Sequence, residues 1–210
     1  MANLILFSGI FAAYVIGSIP TGYIFGRVFR GIDIRQFGSG NVGATNTLRV
    51  IGRVPGLIVL AIDILKGFLC VTYLAGLFMY LSPVARPELY KVFMGLAAIA
   101  GHNWTVFLKF KGGKGVATSA GVVIGLAANI FWLGFLIWLI IFLITGYVSI
   151  ASIVASVSIP IFTLAFNQSA ELTIFMSALC LIIVYKHRSN LRRLKDGEEK
   201  KLSLFKKKRP

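Results

Sequence analysis

Acidic side chains are scarce in this chain: 210 residues hold seven Asp and Glu against 22 Lys and Arg, with two His and two Cys. Metal-dependent phosphoryl transfer needs a cluster of carboxylate oxygens. Asp33, Asp63, Glu88, Glu171, Asp196, Glu198 and Glu199 are scattered instead, so no metal is expected. Cys70 and Cys180 sit inside apolar runs without His or Cys at ligand spacing, which excludes a disulfide framework or zinc site and leaves core filling. No other cofactor and no nucleic-acid partner is indicated. Charged residues are only 14% of the chain and hydrophobic ones 57%, with a mean hydropathy of +0.84. A soluble domain carries about 25% charged and roughly 45–50% apolar residues. The lipid bilayer is therefore the expected surrounding, and the apolar runs, continuous and not alternating, predict an all-α bundle.

A crossing takes about 20 apolar residues. Four spans are plain: Asn3 to Phe25, Val54 to Leu81, Val92 to Leu108 and Leu172 to Tyr185. Met1-Ala2-Asn3 lacks a positive leader, so the first run is expected to be a retained helix and not a signal peptide. The 51 residues from Val116 to Phe166 suit two long spans or three short ones. Charge decides between them. All the basic residues but Lys66, Arg86 and Lys91 fall in three clusters: Arg27, Arg30, Arg35, Arg49 and Arg53; Lys109, Lys111 and Lys114; and eleven from Lys186 to Arg209. Lys and Arg accumulate in cytoplasmic loops, so the clusters should share a side. That requires three crossings in the block, with breaks near Asn129 and at Gly146-Tyr147. The expectation is seven transmembrane helices, N-terminus outside and C-terminus cytoplasmic. The domain boundaries are 1-188 for the membrane domain and 189-210 for a basic cytoplasmic tail, whose Lys206 to Arg209 run reads as a solvated or headgroup-binding end.

Cluster one contains Gly38-Ser39-Gly40-Asn41-Val42-Gly43-Ala44-Thr45-Asn46, followed by Arg49. Such a run lets successive N–H groups converge on an anion as a nest, and Arg49 adds a bidentate clamp for phosphate. It matches G-x-G-x-x-G, but no strand precedes it, which rules out a dinucleotide fold. Cluster two reads Lys111-Gly112-Gly113-Lys114-Gly115-Val116-Ala117-Thr118 and opens a helix. It is not a Walker loop, because Leu108 and Gly115 stand where Gly and Ser or Thr are needed. A helix N-terminus nonetheless favours an anion. Cluster three opens with Lys186-His187-Arg188-Ser189-Asn190 and alone reads as a stop-transfer flank. Within the spans, Asp63 and Lys66 share one helix face, expected either to pair or to line a pocket. His102, beside Asn103, lies about 10 Å below the cytoplasmic surface by helical rise. Two basic, glycine-dense loops on one face point to two anionic groups held together, with phosphates the best fit.

The ordered set of three motifs resembles the bacterial acyl-phosphate:glycerol-3-phosphate acyltransferase family over essentially the whole chain. Phe37 departs from the small polar residue expected before Gly-Ser-Gly. The resemblance implies transfer of a fatty acyl group from acyl-phosphate to glycerol-3-phosphate at a bacterial inner membrane, with the active site facing the cytoplasm. Ser39 and Arg49 would be essential. Gly112, Gly113 and Gly115 would bind glycerol-3-phosphate, His187 and Asn190 would serve activity, and Glu199 structure. The residues beside these fill out the expected site: His102 as a further catalytic candidate, and Gly38, Gly40, Asn41, Gly43, Thr45, Asn46, Lys66 and Lys114 as substrate contacts. Neither histidine has a carboxylate five residues on, so the His-x4-Asp dyad of other glycerol-phosphate acyltransferases is absent. Direct transfer without an acyl-enzyme is expected, the proton going to His102, His187 or a substrate phosphate. A transporter or exchanger of organic phosphates is the alternative.

Overall fold

The computed structural model describes residues 2–202. The Lys206 to Arg209 run lies outside them. Among the described residues the chain is helical, with no strand: α1 Ala2–Ser18, α2 Thr21–Arg30, α3 Ala44–Val50, α4 Arg53–Leu69, α5 Ala75–Leu81, α6 Pro87–Asn103, α7 Val116–Leu126, α8 Ala128–Thr145, α9 Val148–Ala165, α10 Ala170–Lys186 and α11 Arg188–Lys195. A π-helical turn, Cys70–Leu74, joins α4 to α5, and short 3-10 turns occur at Ile34–Gln36 and Val106–Leu108.

Four helical stretches are long and apolar enough to cross a bilayer: Asn3–Arg30, Arg53–Leu81, Ala128–Thr145 and Val148–Ala165. The pair α10 and α11, bent by 50°, passes the same test when taken together and brings the number to five if it is one span. The block after Val116 divides into three helices, with interruptions at Ala127 and at Gly146-Tyr147. With 11 residues, α7 is about 16 Å long, half of a hydrocarbon core of about 30 Å. Two boundaries differ from the sequence reading. The first apolar run breaks at Ile19-Pro20, since proline lacks an N–H and pushes the residue before it out of the helical region. The third helix starts at Pro87, a residue suited to a first helical turn, and stops at Asn103 instead of continuing to Leu108.

The residues up to Ala128 and those from Asn129 onward form two compact units, and the sequence boundary at residue 188 falls inside the second. In the first unit α1 packs on α6, α4 on α7, and α3 on α4. Reciprocal small residues bring the backbones together. A Cβ on Gly17 would strike the Ala98 backbone and one on Gly101 the Tyr14 carbonyl; Gly67 and Gly121 bear the same relation to Thr118 and Ile64. In the second unit α9 packs on α10, and α8 carries a ladder of stacked rings from Phe131 through Phe135 and Trp138 to Phe142. Leu136, Leu143 and Ile144 of α8 are exposed, as suits a helix surrounded by acyl chains.

Candidate active site

A chain of buried polar groups runs through the first unit. The break at Pro20 opens α1 and leaves the Ile19 carbonyl without a continuing helix. Lys66, one face of α4 away from solvent, donates to that carbonyl at 3.2 Å. Its Nζ also lies 2.8 Å from Asp63 Oδ1 and 2.9 Å from His102 Nδ1. Thr21 Oγ1 donates to the same carboxylate oxygen at 3.0 Å. Asp63, Lys66 and His102 are all buried; of the two outcomes their three-residue spacing left open, pairing or lining a pocket, the ion pair forms and gains a histidine from another helix. Three neighbours match the three N–H bonds of an ammonium. Lys66, expected to touch substrate, is therefore directed inward to these groups.

The loop of the second motif is built directly on His102. The chain leaves α6 through Trp104, whose carbonyl accepts from Tyr14 Oη at 2.7 Å, and Thr105, whose hydroxyl donates to the Ser18 carbonyl at 2.6 Å. Lys109 and Phe110 then adopt left-handed backbone, with φ of 52° and 60°, and reverse the chain. Gly112 and Gly113 donate their N–H groups to the carbonyls of Asn103 and His102, at 3.3 and 3.0 Å. These bonds satisfy the open end of α6. They also mean that the two amides are not aimed outward at an anion, contrary to the sequence expectation for this loop. The cationic and dipolar features left to it are Lys111, exposed, Lys114, half-buried, and the first turn of α7. Gly113 is glycine because a Cβ there would collide with His102 Nε2.

The first loop is likewise self-satisfied. Asn46, buried at the start of α3, accepts from the Ser39 N–H at 2.8 Å and donates to the carbonyls of Asn41 at 2.8 Å and Phe37 at 3.1 Å. Gly40 N–H donates to Phe37 O at 3.0 Å and Gly43 N–H to Asn41 Oδ1 at 2.8 Å. Gly38, at φ 64°, lies where a side chain would meet Asn46 Oδ1. The open nest expected from the glycines is thus closed by Asn46 and Asn41, and what the loop presents is side chains: Ser39, exposed, and Thr45 and Arg49, half-buried. Leu108, in the stem of the second loop, packs in one apolar cluster with Ile34, Val42 and Ile51 of the first. The two glycine-dense loops therefore share one end of this unit. At its edge Arg35 grips Asp33 at 2.6 Å, a bond that lowers the pKa of the Asp33 carboxyl to about 2.

The third motif lies in the second unit. His187 closes α10, and its Nδ1 lies 2.8 Å from the Ile183 carbonyl. Glu199, beyond α11, accepts from Asn190 Nδ2 at 2.6 Å, Ser149 Oγ at 3.0 Å and Arg193 Nε at 2.8 Å. Leu202 N–H reaches the Gly146 carbonyl at 2.9 Å. The described part of the assigned tail is thus a helix and a returning loop pinned by one carboxylate. Burial acts to raise the pKa of Glu199, but the hydrogen bonds from Asn190, Arg193 and Ser149 outweigh it and hold the pKa below its ordinary value. A carboxylate so depressed stabilises the fold fully above about pH 4.5 and loses that contribution as pH falls through the lower folded value. Glu199→Gln is expected to lower the unfolding temperature at pH 7 and to approach the parent protein as the buffer is made acid, which thermal melts at several pH values will check.

The glycerol-3-phosphate acyltransferase family profile matches residues 7–197 of this chain. The chain belongs to that family. It is 44% identical to glycerol-3-phosphate acyltransferase 2 of Moorella thermoacetica over 190 residues, 90% of this chain and 94% of that protein. It is 42% identical to the glycerol-3-phosphate acyltransferase of Staphylococcus aureus strain Newman over 191 residues, 90% and 94% of the two chains. The crystal structure of PlsY (YgiH), an integral membrane glycerol 3-phosphate acyltransferase, in its glycerol 3-phosphate form superposes with a TM-score of 0.85 at 36% identity, covering 96% of this chain and 99% of that one. Its lysophosphatidic acid form gives 0.82, at 36% identity and coverages of 94% and 95%.

This acyltransferase is a multi-pass membrane protein whose first two motifs meet at one end of a helical unit. Gly113 touches the buried His102, and His102 touches Lys66. Asp63 and Thr21 extend the contact inward. Sequence reasoning left out Thr21, Ile19 and Ser149. The first two carried a signal in the Pro20 break, which frees a carbonyl and starts a new helix beside it; Ser149 carried none, since its partner Glu199 is 50 residues away.

Proposed function

We propose that this acyltransferase moves a fatty acyl group from an acyl-phosphate directly to glycerol-3-phosphate, giving lysophosphatidic acid and inorganic phosphate. The glycerol hydroxyl attacks the acyl carbonyl carbon, the bond from that carbon to the phosphate oxygen breaks, and phosphate departs. An acyl-phosphate is a mixed anhydride with a good leaving group, so most of the catalytic demand falls on positioning and charge stabilisation. Arg49, Lys114 and the first turn of α7 supply positive charge for the two phosphates. Ser39 and Thr45 supply hydroxyls. The attacking hydroxyl loses its proton to His102, His187 or a phosphate oxygen, with Asn190 placed by Glu199 beside His187 in sequence. The observation that carries this reading is the stacking of the second loop on His102 through Gly113, with Leu108 tying that loop to the first.

The bilayer arrangement we infer is seven crossings, with α7 as a short crossing and both loops at the cytoplasmic face of the inner membrane. Residues 1–188 form the membrane domain and the basic segment 189–210 faces the anionic leaflet. No metal takes part. Purified protein supplied in turn with palmitoyl-phosphate, palmitoyl-CoA and palmitoyl-acyl carrier protein, together with glycerol-3-phosphate, is expected to make lysophosphatidic acid from the first donor alone. Product from the thioesters would refute the acyl-phosphate assignment, and uptake of labelled glycerol-3-phosphate into proteoliposomes without acylation would favour a transporter.

A further inference from the structure

The buried lysine determines which nitrogen of His102 carries the proton. Lys66 Nζ has three neighbours: Asp63 Oδ1 at 2.8 Å, the Ile19 carbonyl at 3.2 Å and His102 Nδ1 at 2.9 Å. An ammonium donates three hydrogen bonds and accepts none. A carboxylate and a carbonyl are acceptors, so the third N–H of Lys66 requires a lone pair on His102 Nδ1. A proton on Nδ1 would set donor against donor unless the lysine gave up its own. The ammonium instead keeps its ion pair with Asp63 Oδ1 at 2.8 Å, and Nδ1 stays the acceptor. With Nδ1 accepting, the neutral imidazole carries its hydrogen on Nε2. Nε2 is the atom against Gly113 of the second loop.

We propose that Asp63, Lys66 and Thr21 are positioning residues that hold His102 as an Nε2–H donor toward the substrate end of the second loop, so that His102 stabilises negative charge on substrate oxygen and is not the general base. The three residues act through His102 and touch no substrate. Asp63 fixes the ammonium, Thr21 and the Ile19 carbonyl fix Asp63 and Lys66 in turn, and the ammonium locks the tautomer. This is the role that a group hydrogen-bonded to the far nitrogen plays for metal-bound histidines, performed here by a cation. The proposal rests on the site reading given above, and it narrows the proton acceptor to His187 or a substrate phosphate.

Glutamine and alanine at position 102 separate a donor from a base. The side-chain amide of Gln places an N–H near the position of Nε2 but cannot take up a proton. In the full chain, assayed with palmitoyl-phosphate and glycerol-3-phosphate, His102→Gln is expected to keep kcat within about tenfold of the parent. His102→Ala is expected to lose about 100- to 1000-fold, the size seen when one oxyanion donor is removed. A Gln variant as inactive as the Ala variant would overturn the proposal. The chain has two histidines, so ¹⁵N-imidazole resonances of histidine-labelled protein, assigned by difference in His187→Gln, report the proton directly. The expected state for His102 is Nε2–H with a bare Nδ1, and loss of that preference in Lys66→Met; a hydrogen on Nδ1 would overturn the proposal. A His102→Ala variant with parental kcat would instead refute the site reading and remove the donor role with it, whichever tautomer the resonance reports.

Discussion

Replacing Asp63 with leucine is expected to lower both the stability and the activity of the protein, and the two losses are separable. The Asp63 carboxylate, 1% exposed, is the counter-charge of Lys66 at 2.8 Å. Removing one partner of a buried pair leaves an uncompensated charge, at a cost of about 3–5 kcal/mol, and an ionisable group within a helix bundle in lipid has few other partners. Thermal unfolding in detergent should therefore move down by many degrees. Removing both charges restores what removing one destroys, since apolar replacement of a buried pair is often neutral or stabilising. Asp63→Leu combined with Lys66→Met is expected to recover the parental unfolding temperature. It is not expected to recover turnover, because His102 Nδ1 then has no donor to hold the ring. An unfolding temperature unchanged in Asp63→Leu would show that the pair contributes nothing to the fold.

Gly113→Ala is expected to inactivate the enzyme while leaving it folded. The added methyl would occupy the space of His102 Nε2, and Gly113 is tied by its own N–H to the His102 carbonyl at 3.0 Å. Neither the ring nor the loop can yield without disturbing the other. A displacement of about 1 Å in a positioned group can cost 100-fold in rate, so kcat/KM for glycerol-3-phosphate should fall by at least about that factor. Overpacking of this kind costs about 1–3 kcal/mol, and the protein should still purify as a folded species. Gly76→Ala is the matched control: a Cβ on that residue of α5 meets nothing within 4 Å, and both stability and kinetics should be parental. A Gly113→Ala enzyme with parental kinetics would mean that the second loop and His102 do not cooperate.

Much of the architecture was legible in the sequence because lipid imposes simple rules. Apolar runs without alternation gave helices; the interruption at Gly146-Tyr147 lies where composition placed it, and the one at Ala127 lies two residues before the expected Asn129. That Asp63 and Lys66 share one helix face followed from helical periodicity, which left open whether they pair or line a pocket. Long-range geometry was not legible. Nothing in the spacing tells that Lys66 meets a histidine 36 residues on, or that the helix before the second loop stops at Asn103 so that its carbonyls collect Gly112 and Gly113. Glycine-rich loops read as anion nests because their N–H groups are free to point anywhere. In the fold those amides found internal acceptors in Asn46, Asn41, Phe37 and the end of α6, and the function proposed above accordingly gives recognition to the side chains of Ser39, Arg49, Lys114 and His102. The closing of the third motif by Glu199 depends on a contact with Ser149 that no local pattern announces.

The most direct test of acyl transfer at these loops is a single-turnover quench with enzyme in excess over palmitoyl-phosphate and with glycerol-3-phosphate present. Lysophosphatidic acid and inorganic phosphate are expected to appear together, in equal amounts, with no acylated protein at any time. Acyl groups trapped on Ser39, or phosphate released ahead of product, would contradict direct transfer.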